Sequence, residues 1–410
     1  MGRGPWSLVQ LRGAPLGAED LNGDDLDLLA SRESVDTLLD AAWGWVREGR
    51  CHLEVEARRP GKVEATLVST DGRHRVRFDL WIELWQLNRG RQRLRHSDCE
   101  DLLAGDRSIR RLPLDIEVCV YLHHLACKRK DLGTERVRER VAWYRKACHE
   151  AGEDALEQIL VRIAEEGRLS EEDEEEAMRR LGARLGIAAE AESGAKPGRV
   201  VRTLRSWFLA APRKTTLVTL MGCDGSGKTS LGRRLCEGLP EVGRLFTGKH
   251  LYRKSITYKL GVIFLRPLTF QSREKFDELI APLVYLRACL GLEIRRWRTG
   301  ESVTLLDRSL VDFLYVDRKT DQPRFSRLAW LARFVGRRIP TVHCVLPYEE
   351  VVKRKDEMTE AGHARYDGDM FEHFCRRVPT SYVAFNNDRG LDEAAEVLGR
   401  ILRCRLGGND

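Results

Sequence analysis

The residues with the plainest chemical meaning lie between Gly222 and Ser230, in the run GCDGSGKTS. Gly222, Gly225 and Gly227 let successive backbone N–H groups converge on one hollow, which a Cβ at those places would obstruct. Lys228 reaches the β- and γ-phosphates of a nucleotide held there, and the Thr229 hydroxyl suits a place on Mg²⁺. Asp224, Ser226 and Ser230 complete the run. The spacing is a phosphate-loop pattern, meaningful only between a strand and a helix. Both are predicted: an apolar strand over 216–221, and a helix opening at Lys228 whose positive dipole end adds to the same hollow. Cys223, inside the loop, reads either as an oxidation-sensitive thiol or, more plainly, as a tolerated small residue.

Other charged residues follow the strands that would deliver them. The strand predicted over 302–306 runs into Asp307-Arg308-Ser309. An Asp at the carboxyl end of a strand, in the same domain as a phosphate loop, is placed to meet metal-bound water or an acceptor hydroxyl. Arg308 beside it can offset phosphate charge. A strand over 341–346 is followed by Pro347 and a helix carrying Lys353, Arg354 and Lys355, which reads either as a lid over a triphosphate or as a plain charged face. Arg287, on a helix predicted over 280–298, faces an anion or solvent. A strand over 382–385 and a helix over 391–403 close the series. Strand alternating with helix is the order of a parallel α/β domain.

The N-terminal part carries a second set. Alternation in Asp25-Leu26-Asp27-Leu28 puts both carboxylates on one face of a strand and both leucines on the other. Neighbouring carboxylates repel, so burying them calls for a cation, for which Mg²⁺ is the usual solution; an acidic turn entering a strand is the plainer alternative. The runs 52–56 and 62–69 have strand character, and 73–80 alternates strongly, offering Asp79 as a third carboxylate on an adjacent strand. From Pro113 the periodicity turns helical: Ile116, Val120, Leu122 and Leu125 mark one helix, Val137, Val141 and Tyr144 a second, and 155–165 a third. His123-His124 reads as structural. The acidic run 171–176 reads as a solvated helix start with Ser170 as cap.

The chain has 410 residues, enough for two or three domains, with 42% hydrophobic and 32% charged residues, the profile of a soluble protein. No apolar run approaches the ~18 residues of a membrane span, and the opening residues lack the apolar core of a signal peptide. Eleven cysteines without a C-x-x-C pair argue for a reducing, cytoplasmic setting. The net charge of +7 comes without a basic-aromatic ladder, so phosphate-bearing small ligands are expected and nucleic acid is not.

The C-terminal half resembles the thymidylate kinase family of P-loop kinases. Gly222-Cys223-Asp224-Gly225-Ser226-Gly227-Lys228-Thr229 matches that family's G-x-D-G-x-G-K-[ST] form, and Asp307-Arg308-Ser309 resembles its Asp-Arg-Tyr segment and equally the Glu-Arg-Ser segment of deoxynucleoside kinases. The Arg-Glu-Pro-Gly turn of the family is missing; Thr247-Gly248-Lys249 stands there. The resemblance implies ATP and Mg²⁺, a small-molecule phosphate acceptor, Asp224 facing that acceptor, and Lys228, Asp307, Arg308 and Arg354 as the catalytic set. A nucleoside monophosphate such as dTMP is one acceptor; a sugar is another, because the fused arrangement looks like thymidylate kinase-like proteins found with surface-polysaccharide enzymes. The N-terminal half resembles the nucleotidyltransferase superfamily in Leu11-Arg12-Gly13, Asp25-Leu26-Asp27-Leu28 and Asp79, which implies an α+β fold with Asp25, Asp27 and Asp79 as metal ligands; Ala14 departs from its Gly or Ser. The expected organisation is a transferase-like domain over 1–115, a helical extension over 116–187, a linker and basic helix over 188–212, and an α/β P-loop kinase over 213–410. Two rival readings remain, a nucleotidyltransferase with a nucleotide-sensing C-terminal half and a non-enzymatic ATP switch; a homodimer is left open.

Overall fold

The computed structural model describes residues 8–11, 25–59, 61–87, 92–99, 109–128, 132–186, 217–239, 242, 246–247, 256–264, 280, 303–307, 340–355, 358–377 and 381–406. The linker 188–212, the glycine turn at Gly13, Arg287 and nearly all of its helix, Lys249 and Arg308 lie outside these residues.

In chain order the first elements are β1 (Leu8–Gln10), β2 (Asp25–Ala30), α1 (Arg32–Arg47), β3 (His52–Arg59), β4 (Lys62–Val68), β5 (Arg75–Trp81), β6 (Glu83–Leu87), β7 (Gln92–Arg95) and β8 (Ile109–Arg111). Four helices follow: α2 (Leu114–Lys128), α3 (Glu135–Ala151), α4 (Asp154–Glu166) and α5 (Glu171–Leu185). The remainder is β9 (Leu217–Met221), α6 (Lys228–Gly238), β10 (Phe246–Thr247), α7 (Ile256–Phe264), β11 (Thr304–Asp307), β12 (Thr341–Val345), α8 (Tyr348–Arg354), α9 (Glu360–Glu372), β13 (Tyr382–Asn386) and α10 (Leu391–Leu406). The protein is mixed α/β. It divides into two compact units, one holding 1–38, 59–64 and 76–208, the other 39–58, 65–75 and 209–410.

In the first unit the strand order is β4-β5-β2-β1-β8. β2 runs parallel to β5, with Asp27 opposite Asp79, and antiparallel to β1. Helices α2 to α5 share one apolar core with Val9, Leu29 and Leu94. α4 shows why it folds: Leu156, Ile159, Leu160 and Ile163 fall on one stripe and are buried, and Gly167 ends the helix at φ 66°. Ser170 caps α5 by accepting the Asp173 N–H at 3.1 Å. The acidic start of α5 is only partly solvated, which corrects the sequence reading: Asp173 is buried against the Arg162 guanidinium.

In the second unit the order is β10-β11-β9-β12-β13-β3-β4. The first five strands are parallel, with β9 between β11 and β12. Val218, Leu220, Val342, Cys344, Val383 and Phe385 build the core with α6 and α10. The stretch 245–257 had no readable period, and it contains β10 and the start of α7. α9 is likewise unanticipated; Thr359 caps it, accepting the Gly362 N–H at 3.1 Å. It is tied to β12 through a buried network in which His343 Nδ1 meets the Tyr382 hydroxyl at 2.8 Å and Nε2 meets Asp367 at 3.1 Å.

β3 comes from the N-terminal part of the sequence and pairs antiparallel with β13, Leu53 opposite Ala384. The pairing is secured by side chains. His52 stacks on Phe385 with centroids 4.5 Å apart. Its Nδ1 accepts the Asn386 N–H at 3.1 Å, which assigns the proton to Nε2, facing the Thr70 carbonyl at 3.3 Å. Asn386 Nδ2 donates to the Val46 carbonyl near the end of α1 at 3.0 Å. Trp43 of α1 stacks on Phe371 at 4.8 Å and on His343 at 5.7 Å.

Burial holds the His52 imidazole down from 6.5 to about 4, so it is neutral in the fold and protonates readily only once unfolded. Its contribution to stability is fully present above about pH 6.5 and is lost as pH falls toward 4. Over that window the loss amounts to about 3 kcal/mol. Urea unfolding of the full chain between pH 7 and 4.5 should show this decline, and His52→Gln should flatten it while lowering stability at pH 7.

Candidate functional site

The loop between β9 and α6 is built by backbone geometry that only glycine meets. Gly222, Gly225 and Gly227 have φ of 147°, 93° and 81°. Each is also tightly covered. A Cβ on Gly222 would lie 2.5 Å from Ser226 Oγ and 2.7 Å from the Cys344 carbonyl of β12. One on Gly225 would lie 3.1 Å from the Val351 carbonyl of α8, and one on Gly227 2.8 Å from Asn387 Nδ2 and 3.1 Å from Arg354 Nη1. The loop is therefore seated between β12, α8 and the turn after β13. No side chain caps α6 at Gly227, which leaves the first-turn amides of the helix facing the loop.

Lys228 is buried. Its Nζ donates to the Cys223 carbonyl at 2.9 Å and lies 3.4 Å from Asp224. Asp224 also faces Lys355 Nζ at 3.6 Å, so its carboxylate lies between the loop lysine and the end of the basic helix. Arg354 approaches Gly227, bringing a second cation over the same loop. Of the basic cluster, Arg354 ends α8 and Lys355 follows in extended backbone, while Lys353 is held by Glu350 at 2.5 Å. Ser230 is exposed on the first turn of α6.

Asp307 arrives on β11, opposite Leu220 of β9, which sets it beside the loop. The Thr229 hydroxyl donates to Asp307 Oδ2 at 2.5 Å. Asp307 is buried, and its Oδ1 has no hydrogen-bond partner among the described residues. A buried carboxylate oxygen without a donor is costly. Placed next to a threonine hydroxyl at the carboxyl end of a strand, the pair offers hard oxygen donors of the kind Mg²⁺ takes, so these residues fit that ion. Ser226 Oγ is another buried atom without a partner among the described residues.

Asn387 is a site residue that sequence reasoning missed. Its Nδ2 donates to the Ser226 carbonyl at 2.7 Å, and its own N–H donates to the Val345 carbonyl at 2.8 Å. It thus anchors the loop to the end of β12. The available signal was the polar pair Asn386-Asn387 closing the apolar run YVAF, the same signature that marks Asp307. The two cysteines of the site do not suit a redox role: Cys223 and Cys344 are buried, and burial pushes the Cys344 thiol up to about 12.

The three N-terminal aspartates fall on neighbouring parallel strands, Asp25 opposite Arg77 and Asp27 opposite Asp79. They belong to the other unit.

Gly222→Ala should lower stability by roughly 1–3 kcal/mol, since the added methyl meets a backbone carbonyl in a packed sheet. Nucleotide retention should fall more than tenfold. Asn387→Ala, which leaves the Ser226 carbonyl buried without its donor, should cost roughly 1–3 kcal/mol. Urea titrations and filter retention of labelled ATP measure the two effects separately.

No family model matches the chain, and no curated protein matches it. Among solved structures, a thymidylate kinase from Candida albicans is similar at a TM-score of 0.34 and 17% identity, over 48% of this chain and 94% of that one.

Proposed function

We propose that the second unit is an ATP- and Mg²⁺-dependent kinase that transfers the γ-phosphoryl group to a small acceptor of the nucleoside monophosphate class. The observation that carries this is the meeting of Thr229 with Asp307 at 2.5 Å, beside a glycine loop with a buried lysine and with Asp307 Oδ1 lacking a donor among the described residues. A phosphate loop alone binds anions. A carboxylate delivered to its threonine by a neighbouring parallel strand adds what a nucleoside triphosphate and its cation together require.

The chain's own groups then have separable tasks. Amides of Gly225 to Thr229 surround the phosphates, and Lys228 turns from the Cys223 carbonyl and Asp224 toward the transferring group. Arg354, reaching Gly227, offsets charge as the phosphoryl group moves. Asp224, released by Lys228, orients the acceptor, whose phosphate oxygen attacks the γ-phosphorus as the bond to the β-phosphate oxygen breaks and ADP leaves. Asp307 and Thr229 would hold Mg²⁺, which supplies neutralisation of the phosphate oxygens. Catalysis is positioning and electrostatics, with no covalent step on the protein. The acceptor class is taken from the likeness of Asp224 and Asp307 to their counterparts in thymidylate kinases. The cytoplasmic setting follows from cysteine usage; among the described residues no helix is long and apolar enough to cross a membrane.

The test is ADP formation from labelled ATP against a panel of nucleoside monophosphates, nucleosides and sugars. One acceptor, expected among the monophosphates, should stimulate ADP release. Lys228→Ala should cut kcat by roughly 10²–10³-fold, the loss seen when one preorganised donor is removed. Asp307→Asn should raise the Mg²⁺ concentration needed for half-maximal rate. Acceptor-dependent turnover that survives Lys228→Ala would overturn the assignment, and stimulation by a sugar alone would move the acceptor class.

A further inference from the structure

The first unit holds a buried cluster that the kinase reading does not use. Lys62, 8% exposed, sits at the start of β4. Its Nζ lies 2.5 Å from Asp79 Oδ2 and 2.8 Å from Glu64 Oε1, over the face of Trp81 at 4.6 Å. Trp81 in turn donates its indole N–H to Asp27 Oδ1 at 3.2 Å. Arg77 closes the far side, donating to Glu64 Oε2 at 2.9 Å and approaching Asp79 Oδ1 at 3.6 Å. Asp27, Glu64 and Asp79 are all buried.

Asp27 and Asp79, opposite each other on adjacent parallel strands, are two of the three carboxylates for which a divalent cation was expected, Asp25 being the other. A carboxylate oxygen bound to such an ion sits about 2.0–2.6 Å from it. Asp79 Oδ2 already carries an ammonium at 2.5 Å, so a metal on the same oxygen would face a unit positive charge at close range in a poorly screened site. The ammonium is itself well compensated, with a second carboxylate and an aromatic face. Three described carboxylates stand against two described cations: the indole serves Asp27, Lys62 bonds Glu64 and Asp79 Oδ2, and Asp79 Oδ1, without a hydrogen bond among the described residues, has the Arg77 guanidinium at 3.6 Å.

We propose that Lys62 is a built-in counter-ion standing where a divalent metal would act, so that the first unit binds no catalytic metal at Asp27 and Asp79 and performs no metal-dependent nucleotidyl transfer. The residues present do not fit the ion that the nucleotidyltransferase resemblance implies. The carboxylates serve as partners of a buried lysine, and their role is to hold β2, β4 and β5 in register.

The test uses the full chain without nucleotide and Mn²⁺ as the probe, with free Mn²⁺ read by electron paramagnetic resonance. Wild type and Asp79→Asn should give superimposable titrations up to millimolar Mn²⁺. Lys62→Met, which keeps the side chain's bulk and removes its charge, should gain an Mn²⁺ site at least tenfold tighter than any in wild type. Adding Asp79→Asn to Lys62→Met should abolish that gain. Wild-type binding that Asp79→Asn removes would overturn the proposal, as would a folded Lys62→Met that gains no site. Should Lys62→Met fail to fold, the comparison of wild type with Asp79→Asn decides alone.

Discussion

The second unit depends on how closely the backbone of Gly222 can approach the backbone of β12. The site of its missing Cβ is 2.7 Å from the Cys344 carbonyl, closer than any side chain tolerates. That approach is possible because β9 and β12 are direct parallel neighbours, Thr219 opposite Thr341 and Met221 opposite His343. Once it is made, the loop has nowhere to go but over the start of α6. Lys228 is then buried beneath it, and the turn after β13 comes within reach of Ser226 through Asn387. Most contacts of the candidate site follow from that single ladder and the three glycines that accommodate it.

A second constraint acts at the other edge of the parallel strands. β13 would present a row of unpaired amides if its outer side were bare, and bare edges invite pairing with other chains. β3 covers it, and the cover is fastened with polar atoms as well as apolar ones: His52 and Asn386 between them satisfy an amide and two carbonyls. A neutral imidazole suits this task, since its two nitrogens serve as one acceptor and one donor. The same burial that makes the contact strong makes it sensitive to acid.

The sequence disclosed those parts whose conformational demands restrict residue choice. The phosphate loop is legible because positive φ selects glycine, and β9, β11 and β12 are legible because strands buried on both faces read as apolar runs. Asp307 was visible at the end of its strand, but its meeting with Thr229 depends on β11 lying beside β9, a matter of strand order that no local pattern states. Asn387 was missed for the same reason. Lys62 was hidden differently. In β4 the residues Lys62, Val63, Glu64 and Ala65 are all buried, although alternation of polar and apolar types predicts one wet face. Where ion pairs compensate one another across neighbouring strands, alternation no longer reports exposure. The pairing of β3 with β13, between residues more than 300 positions apart in the chain, has no local signature either.

The two buried lysines show where chemistry can reside. Lys62 is matched by two carboxylates within 2.8 Å and an aromatic face, and moving it would strand buried charge at a cost of several kcal/mol. Lys228 has one carbonyl at 2.9 Å and one carboxylate at 3.4 Å, and that carboxylate is shared with Lys355. Around the loop, Lys228, Arg354 and Lys355 face Asp224 and Asp307, an excess of positive charge before the helix dipole is counted. A multiply charged anion entering there draws Lys228 from the Cys223 carbonyl and Asp224, while Lys355 still faces that carboxylate. In the first unit two described cations stand against three carboxylates, so the local excess there is negative. Similar residue types therefore stand in opposite balance, paired across strands in the first unit and with cations in excess around the loop of the second.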